Sequence, residues 1–339
     1  MFSPNPYDYG IVIGINDYPD SRYNLKSPCS DAKAVYQWLV SEKGGGLDPL
    51  NCRALFENEN NTGVRASLVE IENSLLAARD FAKKLKAAGQ SARRLYFYFS
   101  GHGVSIQADE VLMCHALWSM KDRPNANLSS DQLDRNFINP CTAFNEVVVW
   151  LDCCRNRQVT TKPGGLSLGC GSGRANASSQ RAMIAFATLD GSYAWEALNE
   201  NDENSIFTEV LLAGLKYARN DNKKITWRSL QNYLEEYVPL IASERSKSQT
   251  PQIKFPRLLG KEDPAFCVGG VPVITLTFNR DNGSVDILDK DFEVVASHEL
   301  SKGALSRPLP VGRYLAVCNP YGRSEFSVTG VDAERHVEF

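Results

Sequence analysis

The chain has 339 residues, 43% of them hydrophobic and 23% charged, with a formal net charge of -3 and no run of Lys or Arg, which leaves no electrostatic case for nucleic acid. No apolar stretch approaches the ~18–20 residues that span a bilayer, and Met1-Phe2-Ser3-Pro4-Asn5-Pro6 lacks the basic region and apolar core of a signal peptide. The 9 cysteines are scattered apart from the Cys153-Cys154 pair, and with the 4 histidines they form no set at zinc-ligand spacing, so free thiols in a reducing cytoplasm are predicted, with neither a disulfide framework nor a zinc site.

In chain order, Tyr7 to Ile15 reads as the first strand, closed by Asn16-Asp17-Tyr18-Pro19. Ser30 is the N-cap candidate of an amphipathic helix carrying Asp31, Ala32, Val35, Leu39 and Val40. A short strand over Cys52–Phe56 precedes a long helix from about Val64, with Leu68, Ile71, Leu75 and Ala78 at helical spacing and Gly89 as its stop. Two apolar runs follow, Leu95–Phe99 and Val147–Leu151, short and rich in β-branched or aromatic residues as buried parallel strands are. Between them lie a predicted strand, Val111–Trp118, and a predicted helix, Ser130–Phe137. Met183–Ala187 is another strand, and Ser205–Tyr217 and Thr226–Leu240 are helices. Strands alternating with helices predict an α/β domain, a mainly parallel sheet with helices on both faces.

Composition changes twice. Residues 158 to 180 are rich in Gly, Ser, Thr and Asn and read as a flexible exposed loop. Residues 260 to 271 carry Pro264, Gly269 and Gly270 and read as a domain boundary, dividing the chain into 1–265 and 271–339. Beyond it, Val273–Phe278, Val285–Ile287, Phe292–Val295, Gly312–Val317 and Phe326–Thr329 alternate with turn signals such as Asn282-Gly283, predicting a small all-β sandwich.

Chemistry gathers at the ends of the two apolar runs. The first ends in Ser100-Gly101-His102-Gly103 and the second in Asp152-Cys153-Cys154. In an open α/β sheet, sites form outside the carboxyl ends of the strands, so a histidine and a cysteine arrive at one edge, as nucleophilic Cys/His catalysis requires.

These elements, with Gly14-Ile15-Asn16, Asp31-Ala32, Ala187-Thr188-Leu189-Asp190-Gly191 and Ser205-Ile206-Phe207-Thr208, resemble the caspase-like clan of cysteine peptidases over roughly residues 5–260, nearest to its prokaryotic orthocaspase, metacaspase-like or CHAT-type branch. His102 and Cys154 stand 52 positions apart, near the roughly 50 of caspases. The resemblance implies a peptidase acting on protein substrates. Cys154 is its nucleophile, His102 its acid–base partner, and the N–H groups of Gly103 and Cys154 its oxyanion hole. It places Asp152, Asp31 and Ser100 in the pocket for the residue before the scissile bond, the P1 residue, where a carboxylate suits the arginine fork. The expected specificity is Arg over Lys, with Asp disfavoured. The resemblance also implies self-processing in the flexible loop, at Arg174 or then Arg181, an activating protein or protease as partner, and a place in regulated proteolysis such as defence cascades.

The chain departs from the metacaspase pattern after the nucleophile, where Arg155-Asn156-Arg157 replaces the usual His-Ser-Gly. Asp109, Glu110, Asp122, Asp131 and Asp134 form no EF-hand spacing, so calcium independence is expected and no cofactor is required. Other readings stay open at this stage. Cys153 is an alternative nucleophile, although neighbours on a strand face opposite ways and Cys153 is expected to point into the sheet. In the alternative readings Asp152 caps a turn and Asp31 sits in a helix's first turn. Trp195-Glu196 either shapes a groove or packs. His115, His298 and His336 read as structural. At the level of function, the alternatives are an interaction module that recruits partners through its β domain, and a small-molecule amidase.

Overall fold

The computed structural model describes residues 4–56, 65–107, 110–138, 142–157, 161–166, 168, 180–196, 204–258 and 260–339. The chain forms two compact units, Met1–Leu212 with Leu234–Asp263, and Ala213–Tyr233 with Pro264–Phe339.

The strands of the first unit run β1 Tyr9–Gly14, β2 Cys52–Leu55, β3 Arg94–Ser100, β4 Gly103–Gln107, β5 Glu110–Cys114, β6 Asn127–Ser129, β7 Glu146–Asp152, β8 Asn156–Arg157 and β9 Arg181–Phe186, before a last strand, Gln252–Arg257. Its main sheet has the order Gln252–Arg257, β9, β7, β3, β1, β2. Every neighbouring pair is parallel except the last strand, which runs antiparallel on β9. The sequence periodicity did not reveal this strand. It carries Pro256, and proline confines a strand to a sheet edge.

β1, β3 and β7 are buried at every residue, and alternation assigns their two faces. Odd-numbered side chains such as Ile11, Ile13, Phe97, Phe99 and Val149 pack against Ile71, Leu75 and Ala78 of helix α2, Leu68–Ala87. Even-numbered ones meet helix α1, Pro28–Val40, whose Trp38 ring lies 6.3 Å from Tyr96 and 6.1 Å from Trp150. The helix starts at Pro28 with Ser27 as its N-cap, not at Ser30, because proline's fixed φ suits the first helical position. Gly14 lets this end of α1 approach the sheet, since a Cβ there would lie 2.3 Å from the Pro28 carbonyl oxygen. The predicted helix over Ser130–Phe137 is one turn, Ser130–Gln132, followed by a wider π turn, Leu133–Ile138.

A second sheet, ordered β6-β5-β4-β8, continues from the first. β3 and β7 pair in register up to Ser100 opposite Asp152, and β4 and β8 resume with Val104 opposite Asn156. The offset is the same on both sides of the break. The strands part after position 100 and rejoin at 104, so His102 and Cys154 stand opposite one another in the gap. Tyr18 wedges one side of it. The Cys114 N–H donates to the His102 carbonyl at 2.9 Å, but the reciprocal ladder bond is replaced by a bridge. The His102 N–H donates to the Tyr18 hydroxyl at 2.9 Å, and that hydroxyl donates to the Cys114 carbonyl at 3.3 Å.

At the opposite, N-terminal ends of the same strands lies a row of charges, of which Asp8, Arg94 and Glu146 are buried. Arg93 pairs with Asp8 at 2.5 Å, Arg94 with Glu146 at 2.5 Å, and Arg181 with the same Glu146 at 2.9 Å. Signs alternate across β1, β3, β7 and β9, which penalises any slip of register.

In the second unit, a three-stranded sheet (Leu305–Pro308, Val273–Phe278, Glu334–Val337) and a four-stranded sheet (Val294–Glu299, Ser284–Leu288, Gly312–Asn319, Gly322–Val328) enclose one core. Alternate residues Ile274, Leu276, Val285, Ile287, Ala316 and Cys318 fill it, as a sandwich demands. Lys224–Thr226 and Ala265–Val268 form a separate antiparallel ribbon in this unit. The strand expected from Phe292 begins at Val294, because Phe292 sits at φ 62° in a turn whose N–H donates to the Asp289 carbonyl. Asn282-Gly283 carries the chain from one sheet to the other; the strands flanking it are not partners.

Candidate active site

The two strand ends open into a cleft of about 350 Å³ lined by His102, Cys154, Ser100, Asp152, Asp31 and Glu196, among others. Parity explains the division of labour at Cys153-Cys154. Cys153 continues the odd face of β7 and is buried, 3% exposed, in the apolar core with Phe99 and Met113. Cys154 turns to the cleft, where its thiol donates to the Ala194 carbonyl at 3.5 Å and accepts from the Ala194 N–H at 3.4 Å.

His102 is held by its backbone, its ring faces and one ring nitrogen. Its ring centroid lies 4.9 Å from that of Tyr18 and 5.5 Å from that of Trp118. Nε2 lies 2.7 Å from the Tyr23 carbonyl oxygen. A carbonyl only accepts, so this contact assigns the proton to Nε2 and leaves Nδ1 as the basic nitrogen. Burial lowers the His102 pKa, against the raising influence of the Tyr23 carbonyl and of Glu196. Burial likewise raises that of Cys154, against the Ala194 N–H. Both shifts favour a neutral thiol beside a neutral imidazole over an ion pair at rest.

Gly103 abuts the backbone of Cys154. A Cβ on it would lie 2.5 Å from the Cys154 carbonyl oxygen, so only glycine allows the approach. Because His102 and Cys114 form the hydrogen-bonded pair, Gly103 and Met113 are a non-hydrogen-bonded pair in the antiparallel ladder. The Gly103 N–H therefore points away from β5, toward the Cys154 side.

Below the cleft mouth, Ser100, Asp152 and Asp31 come together on the α1 face of the sheet. Asp31 is 1% exposed and Asp152 is 4% exposed. Asp31 accepts from the Ser100 hydroxyl at 3.1 Å and the Ser205 N–H at 2.8 Å. Asp152 accepts from the hydroxyls of Ser205 and Thr208. Burial pushes the Asp152 carboxyl up to about 6, and burial together with the Asp152 charge pushes Asp31 well above the carboxylate range. Among the described residues, no basic side chain forms an ion pair with either acid.

Glu196 is the residue the sequence reading left unassigned. Its Oε1 accepts from the Lys26 N–H at 2.7 Å, the Ser27 N–H at 3.2 Å and the Ser27 hydroxyl at 3.3 Å, joining two sides of the cleft. Asn16 braces the same segment: its Oδ1 accepts from the Cys29 N–H at 2.9 Å and its Nδ2 donates to the Lys26 carbonyl at 3.1 Å. Trp195 packs and is anchored, with the Lys247 ammonium 4.2 Å from its ring centroid and its Nε1 donating to the Ser248 carbonyl.

Arg155-Asn156-Arg157 has its own fastening. Arg155 is fully buried, donates to Gln252 at 2.7 Å and stacks 4.4 Å over Phe186, while Arg157 pairs with Asp190 at 2.5 Å. Arg181 opens β9 in its ion pair with Glu146, whereas Arg174 and Asp109 lie outside the described residues. Of the other acids, Glu110 bonds Ser129, Asp131 pairs with Arg135 and Asp134 with Arg257. Among the described residues, no three His, Cys, Asp or Glu side chains are grouped to hold a metal ion, and no helix is long and apolar enough to cross a membrane.

The chain matches the caspase domain family, Peptidase C14, over residues 9–261. It is similar to a "Probable protease" of a Desulfuromonadales bacterium, 24% identical over 286 residues that make up 75% of this chain and 32% of that protein. It is also similar to Metacaspase-3 of Arabidopsis thaliana, 26% identical over 222 residues, 62% of this chain and 58% of that protein. The chain thus spans about a third of the first relative and somewhat over half of the second. Among solved structures it is similar to caspase-1 of Spodoptera frugiperda, with a TM-score of 0.47 and 14% identity over 75% of this chain and 88% of that one. The family match takes in well over half the sequence, and the chain belongs to the caspase-domain family of cysteine peptidases, Peptidase C14.

Proposed function

We propose that this chain is a cysteine endopeptidase that cleaves protein substrates after basic residues, Arg before Lys. The observation that carries the reading is the pocket beside Cys154, where Asp31 and Asp152 are buried with no cation paired to them among the described residues and Glu196 stands at the rim. Buried carboxylates without a counter-charge are costly, and a substrate guanidinium supplies the missing charge in a geometry that two acceptors can match.

In the reaction, Nδ1 of His102 takes the Cys154 thiol proton as Sγ attacks the scissile carbonyl carbon. The resulting oxyanion is held by the N–H groups of Gly103 and Cys154. Collapse breaks the C–N bond, His102 passes its proton to the leaving amine, and a thioester remains. Water, deprotonated by His102, attacks the thioester; the C–S bond breaks, releasing the carboxylic acid and the thiol. Approach to this state requires the thiol to exchange its contact with Ala194 for one with His102. Self-processing at Arg174 and dependence on an activating partner belong to the same reading. At Arg181, cleavage would require the start of β9 to leave the sheet and Glu146.

The test is hydrolysis of fluorogenic peptides bearing Arg, Lys, Asp or Ala at P1, by wild type and Cys154→Ala, with calcium and with chelator. Activity on Arg that vanishes in the variant is expected. Best activity on Asp would overturn the specificity, and silence on every peptide would leave either a zymogen awaiting an activating cut or partner, or a recruitment module.

A further inference from the structure

The two buried acids come from different elements, Asp31 from α1 and Asp152 from β7, yet one residue touches both. Ser205 is 4% exposed and precedes the helix Ile206–Tyr217. Its N–H donates to Oδ1 of Asp31 at 2.8 Å and its hydroxyl donates to Oδ2 of Asp152. The same hydroxyl oxygen accepts from the Thr208 N–H at 3.3 Å, so the helix cap and the pocket wall are one group. Thr208 reinforces it. Its hydroxyl donates to Oδ2 of Asp152 at 2.6 Å, and with that proton committed the Tyr98 hydroxyl, 2.6 Å away, must donate to Thr208. Two hydroxyls converging on one oxygen hold the plane of the Asp152 carboxylate.

We propose that Ser205 is a positioning residue that sets the preference for Arg over Lys, by clamping Asp31 and Asp152 at the spacing and orientation a planar guanidinium requires. The inference rests on the basic-P1 reading of this pocket. A guanidinium needs acceptors in its own plane at fixed separation, whereas an ammonium has three rotatable donors and accepts them from many directions. Loosening Asp152 therefore penalises Arg more than Lys. An aspartate wall alone would attract both; the clamp discriminates.

The experiment compares wild type, Ser205→Ala, Ser205→Thr and Thr208→Val on matched peptides with Arg or Lys at P1. Ser205→Ala is expected to lower kcat/KM on Arg about tenfold, mostly through KM, and on Lys no more than about twofold, the scale of one hydrogen bond to a charged group. Ser205→Thr, which keeps the hydroxyl and the cap, should restore the ratio. Thr208→Val should move it in the same direction and serves if Ser205→Ala fails to fold. Equal losses on Arg and Lys, or a loss confined to kcat, would overturn the proposal. A second readout needs no turnover: protection of Cys154 from iodoacetamide by agmatine or by butylamine, followed by mass spectrometry of the Cys154 peptide. Failure of both amines to protect wild type would overturn the basic pocket and this inference with it. Agmatine protection that is unchanged in Ser205→Ala and Thr208→Val would overturn the clamp alone.

Discussion

The two ends of β1, β3, β7 and β9 treat charge in opposite ways. At the N-terminal ends, each buried acid meets an arginine: Asp8 with Arg93, and Glu146 with Arg94 and Arg181. At the C-terminal ends, Asp31 and Asp152 are buried with hydroxyls and amides, and among the described residues no cation pairs with them. Hydrogen bonds offset only part of the cost of burying an anion, whereas an opposite charge at contact offsets most of it. One end is thus a finished ionic lock on register. The other is incomplete by a cation, which the proposed substrate brings.

Substitutions can break this contrast. The largest effect is expected for Cys154→Ala, with peptide hydrolysis falling at least about a thousandfold and the thermal midpoint little changed. Cys153→Ala, in the core behind it, should keep turnover. At the paired end, Glu146→Gln leaves Arg94 buried without its anion and is expected to destabilise by about 3–5 kcal/mol. Denaturant titration would read this loss, while the folded fraction keeps its kcat/KM. At the unpaired end, Asp152→Asn should reduce kcat/KM on Arg peptides by roughly a hundredfold, about 2–3 kcal/mol, yet raise the denaturation midpoint, because it removes a buried charge whose burial hydrogen bonds offset only in part. If Asp152→Asn destabilised the fold as Glu146→Gln does, the contrast between the two ends would fail.

The smallest effect is a pH dependence. The Asp152 carboxyl is pushed up to about 6 by burial, and a guanidinium needs it ionised. As pH falls below about 6, kcat/KM on Arg peptides should drop, approaching tenfold per unit. Titration of His102 affects every substrate, so an Ala-P1 peptide run alongside isolates the Asp152 limb. Stability should move the other way. Between the ordinary carboxylate range near 3.8 and about 6, the folded state holds a proton that the unfolded state has released, so stability falls as pH rises through that window.

Much of this molecule is legible along the chain. β1, β3 and β7 announce themselves as apolar runs because both of their faces are covered, and a strand buried on both sides cannot alternate. Ser100-Gly101-His102-Gly103 and Asp152-Cys153-Cys154 follow those runs directly, so their placement at one sheet edge needed only the rule that parallel strands point the same way. Harder to read were Gln252–Arg257, an antiparallel edge strand interrupted by proline, and β4, β6 and β8, too short to carry a period. Glu196 was named but not assigned, because its partners Lys26 and Ser27 lie about 170 positions away and no local pattern marks them. Phe292 reads as strand by composition and sits at a turn with positive φ because Asp289 closes it.

The sequence by itself determined the strand-to-strand rhythm, the reactive residues at the strand ends, and a spacing of 52 that matches the register on both sides of the gap between β3–β7 and β4–β8. These are local properties: burial on two faces, side-chain chemistry and chain length between parallel partners. Strand parity likewise pointed Cys153 inward. Only the tertiary structure decided that Tyr18 bridges the broken ladder at His102, and that Ser205 joins Asp31 and Asp152 in one pocket. Those facts depend on contacts between residues about 50 to 170 positions apart, and contacts made at that range leave no periodic trace in the residues that make them.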